Sequence, residues 1–145
     1  MHVELVSNLT DEIFESVKRL VPELGVHKPI PTREELNMLI DSQASKLWIA
    51  RESDLHSLIV GMLTLTVYRV PTGIRSIVED VAVASNYRRR GIAKALMEAT
   101  LEYARQAGAG VLTLSSNPQR EAANLLYQSM GFELRNTNAY LYKLK

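Results

Sequence analysis

Residues 81–94 read Val81-Ala82-Val83-Ala84-Ser85-Asn86-Tyr87-Arg88-Arg89-Arg90-Gly91-Ile92-Ala93-Lys94. An apolar strand-like segment runs into a basic loop and then directly into a segment with helical periodicity. The first turn of a helix has unpaired N–H groups and the positive end of the helix dipole, so it binds phosphate readily. Gly91 has no Cβ to obstruct a phosphate, and arginines add charge and forked donors. We therefore expect residues 88–94, here called the phosphate loop, to bind a phosphate-bearing ligand.

The segments around the phosphate loop predict a mixed sheet covered by helices. Helical spacing is found over Thr10 to Val21, from Thr32 onward, over Gly91 to Ala107, and from Asn117-Pro118 to about Met130. Strand-like composition is found over His2 to Val6, Leu47 to Ala50, Leu58 to Tyr68, Ile74 to Ala84, Val111 to Ser115, Phe132 to Arg135 and Ala139 to Leu144. This order of elements indicates an α/β or α+β architecture.

The composition excludes several classes of function. The chain has 145 residues, which suits a single domain over 1–145, and its net charge is +1. It contains no cysteine, which rules out disulfides, a thiolate nucleophile and a cysteine-ligated zinc site, and its three histidines lack the spacing of a metal site. We expect no metal cofactor. Residues 1–5 do not resemble a signal peptide and no apolar run could span a bilayer, so a soluble cytoplasmic protein is expected.

Two motifs resemble those of one enzyme family. Arg88-x-x-Gly91-x-Ala93, after a strand ending at Val83, resembles the pyrophosphate-binding motif of the GNAT superfamily of N-acetyltransferases. Ala123-x-x-Leu126-Tyr127-x-x-x-Gly131-Phe132 resembles a later helix of that family and the Gly-Phe pair that follows it. A helix and a strand separate the two motifs, as in the family. The resemblance implies a mostly antiparallel sheet of six to seven strands flanked by about four helices.

The resemblance also implies a cosubstrate, acetyl-CoA, and a role for each matching residue. The backbone of Val81 and Val83 would bind the pantetheine arm and the thioester. Tyr127 would protonate the departing coenzyme A thiolate, and Asn124 would lie beside the pantetheine. The pyrophosphate would be surrounded by the phosphate loop: Arg88, Arg89, Arg90, Gly91, Ile92, Ala93 and Lys94.

A pair of carboxylates interrupts the apolar strand just before Val81. An amine acceptor is protonated at neutral pH and must lose a proton before it attacks, so a base is needed. Glu79 and Asp80 are the candidates, and the break in alternation suggests a β-bulge. Simple strand alternation would direct them to opposite faces, so that only one faces the acceptor. We favour Glu79, acting through a water molecule.

Three functional hypotheses remain from the sequence. The first is an N-acetyltransferase that transfers the acetyl group directly to an amine. The acceptor would be a small amine, an amino-acid-like metabolite, an antibiotic or a protein amino group. By analogy with relatives, this enzyme would form a homodimer. The second is a non-catalytic module of the same fold that binds acyl-CoA. The third is a nucleic-acid-binding domain, which the near-neutral charge disfavours.

Overall fold

The computed structural model describes all residues, 1–145, which group into two compact units, residues 1–114 and residues 115–145. The second unit contains one helix, α4 (Glu121–Ser129). The first unit contains, in chain order, β1 (His2–Leu5), α1 (Asp11–Leu20), a 3₁₀ turn (Val21–Leu24), α2 (Arg33–Asp41), β2 (Ser45–Arg51), β3 (Ile59–Val70), β4 (Gly73–Val83), a 3₁₀ turn (Ser85–Tyr87), α3 (Ile92–Gln106) and β5 (Leu112–Thr113).

The first unit is built on a sheet with the strand order β1-β2-β3-β4-β5. Neighbouring strands are antiparallel from β1 to β4, and β5 runs parallel to β4. The mixed, mostly antiparallel sheet and the four α-helices are thus confirmed. The sheet has five strands, however, because Phe132–Arg135 and Ala139–Leu144 are not strands. A strand needs a partner for its backbone groups, and neither segment pairs with another strand.

Local sequence signals begin two of the helices. Thr10 caps α1 by accepting a hydrogen bond from the Ile13 N–H, and Thr32 and Glu35 form the predicted capping box at α2. The prediction that α4 begins at Pro118 is wrong, because the Arg120 N–H donates to the Asn117 carbonyl and closes a turn before the helix. None of the four helices combines the length and the apolar character needed to cross a bilayer.

A close approach fixes α3 against the sheet. A Cβ on Gly61 of β3 would lie 2.9 Å from Ile92 Cγ2 and 3.2 Å from Leu96 Cδ1, so α3 packs directly on the β3 backbone. The opposite face of the sheet carries the buried residues that pack with α1 and α2, among them Leu47 and Met62. Gly61 also pairs with Val83, the last residue of β4. The start of α3 is therefore held beside the end of β4.

A β-bulge interrupts the pairing of β3 with β4. Thr64 pairs with Glu79 and Met62 pairs with Ala82, so two residues of β4 oppose one residue of β3. Within the bulge, Asp80 has a φ of 54°, in the left-handed region that side chains rarely adopt. The bulge predicted from the broken alternation is confirmed.

Candidate active site

One edge of β4 has no neighbouring strand over its second half. β5 pairs with β4 only at Ser76 and Ile77, and β4 continues from there to Val83. On the other edge, the Ala84 N–H donates to the Val60 carbonyl at 2.8 Å. Backbone groups alternate along an antiparallel strand, so those of Val81 and Val83 face away from β3. These two residues therefore present N–H and C=O groups to the edge that lacks a strand.

The phosphate loop leads into an unobstructed helix start. Gly91 adopts a φ of 79° at the residue before α3, and its carbonyl accepts the first helical hydrogen bond, from the Ala95 N–H at 3.0 Å. The N–H groups of the first turn precede that bond and have no helical partner. A Cβ at Gly91 would meet no atom within 4 Å, so the space beside these N–H groups is open. This donor set fits a diphosphate.

The three arginines of the loop have different surroundings. Arg88 makes an ion pair with Glu23 at 2.7 Å, and Ser85 Oγ donates to both oxygens of the same carboxylate, at 2.8 and 2.9 Å. The Arg90 guanidinium lies 4.9 Å from the centre of the Tyr87 ring. Arg89 has a φ of 65°, in the left-handed region that is unfavourable for a residue with a Cβ. Glu23 is a residue that the sequence did not indicate, since no motif surrounds it.

A cavity of about 240 Å³ lies in the first unit, on the face of the sheet that packs with α1 and α2. It lies between α1, the turn and loop that follow it, α2 and the sheet. Its lining residues are Val17, Val21, Leu24, Lys28, Pro29, Pro31, Glu35, Leu36, Leu39, Leu47, Met62, Thr64 and Asp80. The walls are mostly apolar, and three ionisable side chains are among them.

Both candidate carboxylates belong to residues beside the cavity. Glu79 pairs with Thr64, which lines the cavity. Because residues directly opposite in an antiparallel pair share a face, Glu79 lies on the cavity face of the sheet. Asp80 itself lines the cavity. Regular alternation, under which only one of the two would face the acceptor, does not hold here, because the bulge adds an extra residue between Glu79 and Ala82.

The two other residues predicted for the site, Tyr127 and Asn124, lie on α4 in the second unit. The Tyr127 side chain is buried, and its ring packs edge-on against Phe132, with ring centres 5.9 Å apart. Burial raises the pKa of Tyr127, an effect that the nearby Arg120 partly offsets. The Asn124 amide donates to the carbonyls of Asn117 and Arg120, which organises the start of α4. Its role toward a ligand stays a prediction.

One family profile and several known proteins are similar to this chain. The profile of the family described as acetyltransferase (GNAT) matches residues 10–132. N-acetyltransferase 8 from Homo sapiens is 32% identical over 96 residues, which are 65% of this chain and 41% of that protein. N-acetyltransferase family 8 member 3 from Mus musculus is 28% identical over 105 residues, which are 71% of this chain and 45% of that protein. The chain thus spans less than half the length of these curated relatives.

The fold matches that of solved structures over nearly the whole chain. An aminoglycoside acetyltransferase from an uncultured soil metagenomic sample has a TM-score of 0.84 and 24% sequence identity. The match covers 99% of this chain and 96% of that one. At this level of identity, the likeness establishes the shared fold.

Proposed function

Because the chain belongs to the acetyltransferase (GNAT) family, we propose that it transfers an acetyl group from acetyl-CoA directly to an amine. One arrangement carries the proposal: the outward-facing edge of β4 ends beside an open helix start with a basic loop. An extended pantetheine arm can add to such an edge in the manner of a strand. The diphosphate at its end then meets the free N–H groups of α3.

The chain's own residues divide the binding of acetyl-CoA between them. Val81 and Val83 offer backbone hydrogen bonds to the pantetheine arm and the thioester, and the family resemblance assigns Asn124 a contact with that arm. Gly91, Ile92, Ala93 and Lys94 supply amide donors to the diphosphate, while Arg88, Arg89 and Arg90 supply charge and forked donors. Acetyl-CoA, when bound, provides an activated acyl group with a good leaving group.

Two side chains move protons in the proposed reaction. An alkylamine with a pKa near ~10.4 is neutral in only about one molecule per thousand or fewer at pH 7. Glu79, exposed on the cavity face, accepts the proton of the ammonium through water. The amine nitrogen then bonds to the acetyl carbon, the C–S bond breaks, and Tyr127 donates a proton to the thiolate. The amide nitrogen loses its second proton to solvent, which re-protonates Tyr127.

Tyr127 is suited to donate because a tyrosine hydroxyl is protonated at neutral pH, and burial keeps the pKa of Tyr127 above its usual value. With no cysteine in the chain, an acyl-cysteine intermediate is excluded, which agrees with the proposed direct transfer.

Two measurements test the proposal. Coenzyme A is expected to raise the unfolding temperature, and acetyl-CoA is expected to release free thiol only when an amine is present. Stabilisation by coenzyme A without thiol release on any amine would instead favour a non-catalytic acyl-CoA-binding module. Tight binding of DNA or RNA with no effect of coenzyme A would contradict both.

Removing the ion pair between Glu23 and Arg88 is expected to increase the affinity for coenzyme A. Glu23→Gln removes the carboxylate that competes with phosphate for Arg88, whose side chain is 57% exposed. Exposed pairs contribute about 0.2–1 kcal/mol, so the dissociation constant of coenzyme A should fall by up to about five-fold. Calorimetric titration measures this, with Glu15→Gln, which breaks the exposed pair with Lys18, as the control. Weaker binding in Glu23→Gln would mean that Glu23 orders the loop rather than competing for Arg88.

We propose that the chain forms a homodimer, because several apolar side chains after Phe132 are exposed to solvent. Five large apolar side chains there are between 85% and 95% exposed: Leu134, Tyr140, Leu141, Tyr142 and Leu144. Soluble monomers rarely leave such a cluster in water. At about 150 Å² per side chain, two copies would bury on the order of 1,500 Å², which is within the ~1,200–2,000 Å² of stable interfaces.

Light scattering tests the dimer. The chain is expected to have the mass of two copies, and the triple variant Tyr140→Ser, Tyr142→Ser, Leu144→Ser is expected to have the mass of one. Leu125→Ser, which changes an exposed leucine of α4, serves as the control and should stay dimeric. A monomeric parent chain at micromolar concentration would contradict the proposal.

A further inference from the structure

We infer that the acceptor is a small monoamine on an apolar body, and that Asp80 binds its ammonium at the mouth of the cavity. The inference rests on the proposed acetyl transfer and narrows it to one chemical class of acceptor. It also gives Asp80 a role separate from that of Glu79. Asp80 positions the nitrogen by charge and takes no part in the bond changes.

The cavity separates apolar and charged residues. Its buried lining residues are all apolar: Val17, Val21, Leu36, Leu47 and Met62. Its three ionisable residues, Lys28, Glu35 and Asp80, are all exposed. The floor is therefore apolar and the charges surround the mouth. An acceptor with an apolar body inserts that body and leaves its nitrogen at the mouth.

The size of the cavity limits the acceptor. The volume of about 240 Å³ is below the ~300–1,000 Å³ typical of pockets for drug-sized ligands. A single aromatic ring or a short aliphatic chain fits this space. Linked sugar rings do not, and their hydroxyl groups would lose hydrogen bonds to water against the apolar floor.

Asp80 is the carboxylate at the mouth that has no partner. Glu35 accepts the Thr32 N–H at 3.0 Å as part of the capping box, so one of its oxygens is already engaged. Asp80 takes part in none of the ion pairs of the chain. A carboxylate that faces an apolar cavity without a cation is complementary to a ligand that brings one.

The backbone at Asp80 is consistent with a functional role. Its φ of 54° is an unfavourable conformation for a residue with a Cβ, and such strain persists where the surroundings enforce it. Here the enforcing element is the bulge, and Asp80 is among the residues that line the cavity. Asp80 also directly precedes Val81, whose backbone is proposed to hold the thioester. An ammonium at Asp80 would thus be positioned beside the acetyl carbon.

The charges at the mouth accept one ammonium and disfavour a second. Among the lining residues, two carboxylates and one amine leave a net charge of −1 (Asp80 and Glu35 against Lys28). A second ammonium on the acceptor would meet the apolar floor, the Lys28 cation, or Glu35, one of whose oxygens already accepts the Thr32 N–H. Polyamines and aminoglycosides carry several ammonium groups, so this cavity is unsuited to them.

A binding experiment isolates the role of charge at Asp80. We would titrate the protein with 2-phenylethylamine and with its neutral isostere 2-phenylethanol, without acetyl-CoA, and follow both by NMR. Asp80→Asn is expected to weaken binding of the amine by at least ten-fold and to leave the alcohol unchanged. Asp41→Asn, an exposed aspartate at the end of α2, is the matched control. Equal weakening of the amine and the alcohol, or no effect on either, would overturn the role of Asp80.

A turnover experiment tests the class of acceptor. The wild-type kcat/KM is expected to be highest for apolar monoamines and lowest for spermidine and kanamycin. Asp80→Asn should raise the KM of the monoamine more than it lowers kcat, with the KM of acetyl-CoA unchanged. Lys28→Glu should increase kcat/KM for 1,8-diaminooctane relative to octylamine, because the repelling cation is replaced by a carboxylate.

The outcomes separate this inference from the proposed function. Efficient acetylation of kanamycin or spermidine with apolar monoamines left unmodified would retain acetyl transfer and overturn the acceptor class. If no amine is acetylated, the proposed function fails together with the acceptor role, and the binding experiment alone decides whether Asp80 forms an ammonium site. In that case, charge-dependent binding of 2-phenylethylamine at Asp80 would support the ammonium site, and lack of binding would overturn it.

Discussion

Tyr127→Phe is expected to lower kcat by about 10²–10⁴-fold, the usual contribution of a positioned proton donor. The substitution removes one oxygen and leaves the ring that packs against Phe132. The dissociation constant of coenzyme A should therefore stay unchanged. Stopped-flow measurement of thiol release, together with calorimetric titration of coenzyme A, gives both quantities on the same protein.

A second tyrosine provides the control for this experiment. Tyr103 of α3 also packs edge-on against an aromatic side chain, Trp48, with ring centres 5.5 Å apart. Tyr103→Phe makes the same chemical change at a position with no proposed role in proton transfer, so its kcat should match the wild type. If Tyr127→Phe retains full turnover, Tyr127 is not the acid and another group must protonate the thiolate.

Gly91→Ala is expected to weaken coenzyme A binding by roughly 10- to 150-fold. The added Cβ enters the open space beside the first turn of α3 and keeps the diphosphate from at least one amide. A hydrogen bond to a charged group contributes about 1.5–3 kcal/mol, and each ~1.4 kcal/mol changes the dissociation constant ten-fold. Calorimetric titration measures the change.

Backbone strain must be separated from the loss of the phosphate site. Gly91 has a φ of 79° and Gly108, after the end of α3, has a φ of 84°. Alanine at either position costs about 1–2 kcal/mol of folding stability through left-handed strain. Gly108→Ala therefore controls for strain, since its Cβ makes only an ordinary contact, 3.6 Å from Ile74 Cδ1. Equal coenzyme A affinity in the two variants would remove Gly91 from the binding site.

Local signals in the sequence were sufficient for much of the fold. The capping box at Thr32 and Glu35 and the apolar spacing of α3 are set by residues a few positions apart, so the chain forms them much as predicted. The bulge was also visible, because two adjacent acidic residues interrupt an apolar strand. The strand-like pattern after Phe132 predicted strands that the structure does not contain. Such a pattern reports only the local preference of the residues, whereas a strand also needs a neighbouring strand with which to pair.

The sequence by itself determined the phosphate loop, the order of the elements and the identity of the two carboxylates in β4. Only the tertiary structure decided that Asp80 lines a cavity, that Glu23 engages Arg88, and that this cavity, between α1, α2 and the sheet, is mostly apolar. The physical reason is the distance along the chain. A helix start or a cap involves neighbours in sequence, so a local pattern can predict it. Glu23 instead accepts a hydrogen bond from Arg88, 65 positions away, and no local pattern predicts that contact.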